Sequence, residues 1–224
     1  MKWLFGVVLA FCTVASVYGE GVSVETQKER FSYAIGTRVG QSLIREGVDL
    51  DSDAFYLAIR DALDGSKPRL SAEEMEQALS KGEATVSEGL RERAVSNLKA
   101  GKAFLAKNKE KDGVVELSSG LQYKILRSGD GEFPKKYSDV VVHYVGSLID
   151  GREFDSSRRR GEAATFNVGQ VIKGWQEVIP LMRVGSRWHV FIPPNLAYGV
   201  KGAGRVIGPN ETLVFEIEVL DIAG

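Results

Sequence analysis

Residues 140–161 read VVVHYVGSLIDGREFDSSRRRG, and this stretch decides how the rest of the chain is read. Val140–Ile149 is rich in β-branched residues, which favour a pleated strand. Asp150-Gly151 predicts a two-residue hairpin turn of the primed type, and Arg152–Asp155 begins the return strand. A purely structural hairpin has little need of two aromatics (Tyr144, Phe154) and an acid (Asp155) around one turn, with an arginine run after them. The composition predicts one wall of an apolar pocket, which other segments must complete.

Downstream and upstream of the hairpin the period is also two. Leu121–Leu126, Ala163–Asn167, Arg187–Ile192 and Leu213–Ile222 are candidate strands, each bounded by Gly, Pro, Asn or Asp. Ile172–Leu181 carries one short helix's worth of pattern, with Pro180 bending or ending it. One helix on a bent antiparallel sheet is an α+β domain. Before the charged boundary KNKEKDG (Lys107–Gly113) the period is helical. Phe31, Ile35, Val39 and Leu43 recur every fourth residue in a helix over Glu25–Glu46, which Gly47 stops. A second helix spans about Ser52 to Leu63, capped by Asp51 or Ser52 and ended by Asp64-Gly65. A third begins at the capping box Ser71-Ala72-Glu73-Glu74, with Leu70 and Met75 placed as a staple. Its apolar positions are sparse, so the expectation is a long, largely solvated arm to about Lys109. Gly82, Gly89 and Gly101 each cost about 1 kcal/mol relative to Ala, which leaves open two shorter helices broken near Gly89 or Gly101.

The 224 residues suit two domains, and 43% hydrophobic with 26% charged residues is ordinary for a globular protein. A net charge of −1 gives no electrostatic case for nucleic acid or an anionic membrane. Met1-Lys2 and the apolar run Trp3–Ala15 read as a signal peptide, too short to span a bilayer, with cleavage after Gly19; an uncleaved anchor is the alternative. Cys12, the single cysteine, lies inside that segment, so a mature chain has no disulfide, thiolate metal site or cysteine nucleophile. The helices of residues 20 to about 75 bury little surface alone, which predicts pairing with a second copy.

Catalytic signatures are few. His143 and His189 sit in strands without acids at ligand spacing, so neither a metal nor any cofactor is expected. There is no nucleophile elbow and no phosphate loop. Gly199, Gly202, Gly204 and Gly208 make a turn-rich loop with no helix after it. The run Arg158–Arg160 is a solvated loop or holds one specific residue. What remains is Tyr144, Phe154, Trp175, Tyr198 and Phe215, from five segments. Each alone reads as core; together they would form an apolar cup with tyrosine hydroxyls at its rim.

The segments VVVHYVGSLIDGREFDSS, VIKGWQEVIPLM, VGSRWHVFIPPNLAYG and NETLVFEIEVL, in that order, resemble the FKBP-type peptidyl-prolyl cis–trans isomerases over about Ser119 to Ile222. FSYAIGTRVGQSLIREGVDLDSDAFYLAIRDAL and LSAEEMEQAL resemble the dimerisation region of bacterial periplasmic isomerases of the macrophage infectivity potentiator kind. The resemblance implies an antiparallel half-barrel wrapped on one short helix. It divides the chain into a signal peptide (1–19), a helical dimerisation domain (20–70), a helical arm (71–112) and an isomerase domain (113–224). It implies Trp175 as pocket floor, and Tyr144, Phe154 and Phe215 as walls with Val171 and Ile172 alongside. Asp155 and Tyr198 form a polar rim, Arg160 pairs with the acid, the Ile172 N–H donates to the bound peptide, and Ile207 overhangs the pocket. Ala164, Ala203 and Gly208 depart from the pattern and predict a smaller or looser rim.

The implied activity is rotation about X–Pro bonds in exported proteins by a dimeric periplasmic folding catalyst, with outer-membrane association or release left open. Its partners would be proline-containing unfolded polypeptides, a second copy, and macrolide inhibitors. A client-binding chaperone or virulence-associated binding protein with incidental activity is the alternative. The absence of nucleophile and metal fits: rotation must break amide resonance, a barrier of about 18–20 kcal/mol, and needs no bond to the enzyme.

Overall fold

The computed structural model describes residues 24–204 and 206–223. The expected signal segment and Cys12 lie outside them. By internal contacts the chain falls into one unit running to Ser42 and one from Leu43 onward.

Helix α1 (Gln27–Glu46) ends where Gly47 takes φ +74, with the Gly47 and Val48 amides closing onto the Ile44 and Leu43 carbonyls. Phe31, Ile35 and Val39 form its apolar stripe, and all three are exposed. Helix α2 (Ser52–Leu63) is capped by Asp51, whose carboxylate accepts from the Ala54 N–H at 2.8 Å; no residue of α2 is buried. Helix α3 (Ala72–Asn108) starts with the capping box: Ser71 Oγ accepts from the Glu74 N–H at 3.2 Å, and the Glu74 carboxylate accepts from the Ser71 N–H at 2.8 Å. It runs unbroken for 37 residues through all three glycines. At Gly101 the glycine has a use: a Cβ there would stand 2.2 Å from Thr212 Oγ1. The helix passes so close to the sheet that no side chain fits between.

Seven strands follow: β1 (Val114–Glu116), β2 (Gln122–Arg127), β3 (Asp139–Leu148), β4 (Glu153–Ser156), β5 (Ala164–Asn167), β6 (Arg187–Ile192) and β7 (Leu213–Ala223). They form one antiparallel sheet in the order β1-β2-β6-β7-β3-β4, with β5 also on β3. Alternation sets the inner face: Val140, Val142, Tyr144 and Leu148 from β3, and Leu213, Phe215, Ile217 and Val219 from β7, are buried. Helix α5 (Lys173–Val178) crosses that face and buries Trp175 and Val178. Pro180 converts the next residues to a 3-10 turn, Ile179–Leu181. Gly174 lets the helix touch the sheet, since a Cβ there would lie 2.5 Å from Ile192 Cγ2. The architecture is the α+β sheet wrapped on one short helix that the sequence predicts.

Two local expectations need correction. The β3–β4 turn is not a two-residue primed turn. Asp150 keeps a negative φ, Gly151 alone is left-handed at φ +90, and the Leu148 carbonyl accepts from the Gly151 N–H while the Leu148 N–H reaches the Arg152 carbonyl. This is a three-residue connection with glycine in the bulge position. The strand β1 was not anticipated; it is three residues long.

One edge of β3 is shared by two strands. Residues 139–142 pair with β5 and residues 145–147 with β4. At His143 and Tyr144 neither strand is available, and the chain leaves the sheet through the four-residue helix α4 (Ser157–Arg160). The buried Ser157 hydroxyl fills the gap, accepting from the Tyr144 N–H at 2.8 Å. This break in the edge gives Asp155 and Arg160 access to the Tyr144 side chain.

Candidate active site

A cavity of about 520 Å³ opens where α5 meets the inner face. Trp175 stands at the centre of its aromatic set. Its indole meets Tyr144 (5.4 Å, 85°), Phe166 (5.6 Å, 89°) and Phe215 (5.3 Å, 77°) edge to face, and Phe154 meets Phe215 at 5.5 Å and 83°. These angles suit the aromatic quadrupole, and each pair contributes about 0.5–1.5 kcal/mol beyond its burial. Gly146 makes the arrangement possible: a Cβ there would lie 2.6 Å from Phe154 and 2.7 Å from Phe215.

The polar groups gather on one side. The Tyr144 hydroxyl donates to Asp155 Oδ2, Arg160 Nη1 donates to Oδ1 of the same carboxylate, and Arg160 Nη2 donates back to the Tyr144 hydroxyl at 2.9 Å. The three close into a ring. Burial pushes the Asp155 carboxyl up, but the hydrogen bonds from Tyr144 and Arg160 and the guanidinium charge outweigh it and hold it below the usual carboxylate range. Burial raises the Tyr144 phenol, with its bond to Asp155 adding to the shift. Burial likewise raises Tyr198, and the Asp155 charge adds to it. Each arginine of the run has its own acid: Arg158 pairs with Glu218, Arg159 with Glu153 at 2.8 Å, and Arg160 with Asp155.

The structure brings nine of the predicted residues to the lining: Tyr144, Phe154, Asp155, Val171, Ile172, Trp175, Tyr198, Ile207 and Phe215. Arg160 does not line the cavity; it acts on it through Asp155 and Tyr144. Phe166, Gln170, Gly204 and Val206 also line it and were not anticipated. Of the three departures, Ala203 is on the lining and Ala164 packs on the core instead, with Phe166 supplying aromatic surface two residues on. The Gln176 amide donates to the Val171 carbonyl at 2.7 Å and so braces the segment before α5. Ile172 precedes α5, and its carbonyl accepts from the Trp175 and Gln176 amides. His143 and His189 stay in their strands, near Ser157 Oγ (3.1 Å) and Glu216 (3.3 Å), outside the lining. Among the described residues there is no group of three or more His, Cys, Asp or Glu that could hold a metal.

The comparisons with known proteins fit this geometry. The family model for FKBP-type peptidyl-prolyl cis-trans isomerase matches residues 130–220, and the model for the domain amino-terminal to it matches residues 28–125. The outer membrane protein MIP of Legionella longbeachae is 42% identical over 91% of this chain and 89% of its own. The FKBP-type 22 kDa peptidyl-prolyl cis-trans isomerase of Escherichia coli is 42% identical over 88% of this chain and 97% of its own. The crystal structure of FkpA from Escherichia coli superposes with a TM-score of 0.63 at 36% identity, covering 88% of this chain and 97% of that one. The chain belongs to the FKBP-type peptidyl-prolyl cis–trans isomerases.

Proposed function

We propose that the aromatic cavity is where this isomerase rotates X–Pro bonds, with the parts the resemblance implies. Trp175 is the floor beneath the proline ring. Tyr144, Phe154 and Phe215 are walls, extended by Phe166, with Val171, Ile172 and Ile207 beside them. Asp155 and Tyr198 are the polar rim, Arg160 holds the acid, and the Ile172 N–H donates to the peptide. The observation that carries the reading is the ring of aromatics around one indole, with a single charged cluster to one side. A planar amide is more polar than a twisted one, so an apolar cavity disfavours the ground state. Hydrogen bonds that fix the twisted carbonyl add binding found only in the transition state. About 1.4 kcal/mol of such differential binding is a factor of ten, so a few terms suffice.

In this mechanism no proton moves. Asp155, with its pKa lowered, stays ionised through the neutral range, and Tyr144 and Tyr198, with theirs raised, stay protonated. A carboxylate whose folded pKa is lowered keeps its contribution above that value and loses it as pH falls through it. The prediction is a flat kcat/KM from about pH 5 to about pH 9, falling only at more acid pH. A protease-coupled proline assay across that range checks it. A bell centred near neutrality would replace this mechanism with acid–base catalysis, and no rate above background would leave only the binding-protein reading.

The remaining assignments go with this function. Residues 1–19 direct export to the periplasm, where association with the outer membrane, as in the name of the Legionella relative, is one destination. No described helix is long and apolar enough to cross a membrane. Residues 20–70 form the dimerisation domain, 71–112 the arm and 113–224 the isomerase domain. The exposed Phe31, Ile35 and Val39 in α1, and Phe55, Ile59 and Leu63 in α2, support pairing, because a single copy leaves these stripes in water. Two pockets on one dimer would grip an unfolded client by avidity, the basis of a chaperone role. Macrolides that mimic the twisted amide are candidate inhibitors. Light scattering of the mature protein at micromolar concentration should give a dimer mass. Phe31→Glu with Ile35→Glu should give a monomer that keeps its activity on short peptides; a wild-type monomer would remove the dimer from the proposal.

A further inference from the structure

The arm is more than a spacer. From Ala94 to Asn108 helix α3 turns one stripe toward the sheet domain. Gly101 lies against Thr212, Phe104 packs on Phe191 at 5.9 Å, and the buried Asn108 amide donates to Gln122 at 3.0 Å. The stripe's upper end reaches a different target. Asn97 Nδ2 donates to the Pro209 carbonyl at 2.9 Å, across 112 residues of sequence, and Asn210 Nδ2 donates to the Ala94 carbonyl at 3.3 Å. Gly208 lies alongside, where an added Cβ would stand 3.4 Å from the Asn97 amide nitrogen.

Pro209 and Asn210 form the base of the loop that overhangs the cavity. The Asn210 N–H closes that base onto the Gly199 carbonyl at 2.8 Å. At the tip, Ala203 and Ile207 exchange both backbone hydrogen bonds, at 2.8 and 3.2 Å, and Ala203, Gly204, Val206 and Ile207 line the pocket. Asn210 sits at φ +55, a conformation few side chains adopt but Asn tolerates. The loop thus has an internal tie at its tip and two side-chain ties from its base to a helix outside the family's pocket residues.

We propose that Asn97 and Asn210 are positioning residues for the isomerase site: by clipping the base of the 199–210 loop to α3, they hold Ile207 over the pocket before substrate arrives. This rests on the aromatic cavity being the isomerase site. Without the clip the loop must be ordered on binding, and that cost falls on ground state and transition state alike. The signature is a raised KM with kcat preserved.

The test uses full-length protein with Asn97→Ala, Asn210→Gly and the double variant. Glycine at 210 keeps the left-handed backbone and removes the bond to Ala94. Each single variant should raise KM about three- to tenfold, the shift one lost hydrogen bond gives, with kcat within about twofold. Amide exchange should speed up at Ala203 and Ile207 by a similar factor and stay unchanged along β6 and β7. The double variant should cost less than the product of the singles, since either cut frees the same loop. Unchanged KM and unchanged exchange at the two tip amides would overturn the proposal. So would exchange that rises throughout the sheet with kcat and KM falling together with stability, which is a merely structural role. Full activity in Trp175→Ala would instead overturn the pocket assignment, so the two failures are distinct.

Discussion

Replacing Trp175 with alanine is expected to lower kcat/KM about a hundredfold, and more than the accompanying loss of stability explains. The indole is nearly inaccessible and holds Tyr144, Phe166 and Phe215 through three edge-to-face contacts between 5.3 and 5.6 Å. Removing it leaves a void where the proline ring would rest and lets three walls sag into it. A buried Trp→Ala change costs about 3–5 kcal/mol, a large share of a domain's typical stability but not all of it. The control is Met182→Ala. Met182 is fully buried beyond α5, is absent from the cavity lining, and costs about 2–5 kcal/mol by the same mechanism. At a temperature where denaturation curves show both variants folded, Met182→Ala should keep kcat/KM within about threefold while Trp175→Ala does not. Equal losses in the two would mean that activity follows packing in general, and Trp175 would lose its place as the floor.

The residues that made this site legible in the sequence share one property: each is a large side chain at the end of a strongly patterned segment. Tyr144, Phe154, Trp175 and Phe215 are in that position, and all four meet in the cavity. Phe166 gave no such signal. It sits in a four-residue strand, and it reaches Trp175 because β5 takes the lower part of the β3 edge while β4 takes the upper part. That split is a property of the sheet, not of either strand. The turn after β3 was misread for a related reason. Asp-Gly suits both a two-residue primed turn and the end of a three-residue turn with a glycine bulge, and the local residues do not choose between them. In α3 the glycine count counselled a break, but propensity is weak against packing. Gly101 is there because Thr212 leaves no room for a side chain, and the helix gains its contact with the sheet in exchange. The loop over the pocket was legible as turns alone, since its ties run to Ala94 and Asn97 on a distant segment.

Gly146 offers the sharpest test of how the walls are set. In the β3 register it pairs with Asp155 on one side and Phe215 on the other. Glycine weakens a strand interior, so its presence marks a close approach. Here the approach is by two rings at once, Phe154 at 2.6 Å and Phe215 at 2.7 Å from where a Cβ would be. The backbone is not the obstacle, because Gly146 is not among the residues of positive φ. Gly146→Ala should therefore act by displacement. Both rings must move by about 1 Å to restore van der Waals distance, at a cost of about 1–3 kcal/mol, and the open side available to them is the cavity itself. The expected result is a ten- to hundredfold fall in kcat/KM, by roughly 1.4–2.7 kcal/mol of lost transition-state binding. A double-mutant cycle with Phe154→Leu separates displacement from simple destabilisation. Leucine leaves space beside residue 146, so its own cost in activity should be much smaller in the Gly146→Ala background than in the wild type. Additive losses, or a Gly146→Ala variant within about threefold of wild type, would mean that the rings are placed by their own strands and not by the absence of a side chain between them.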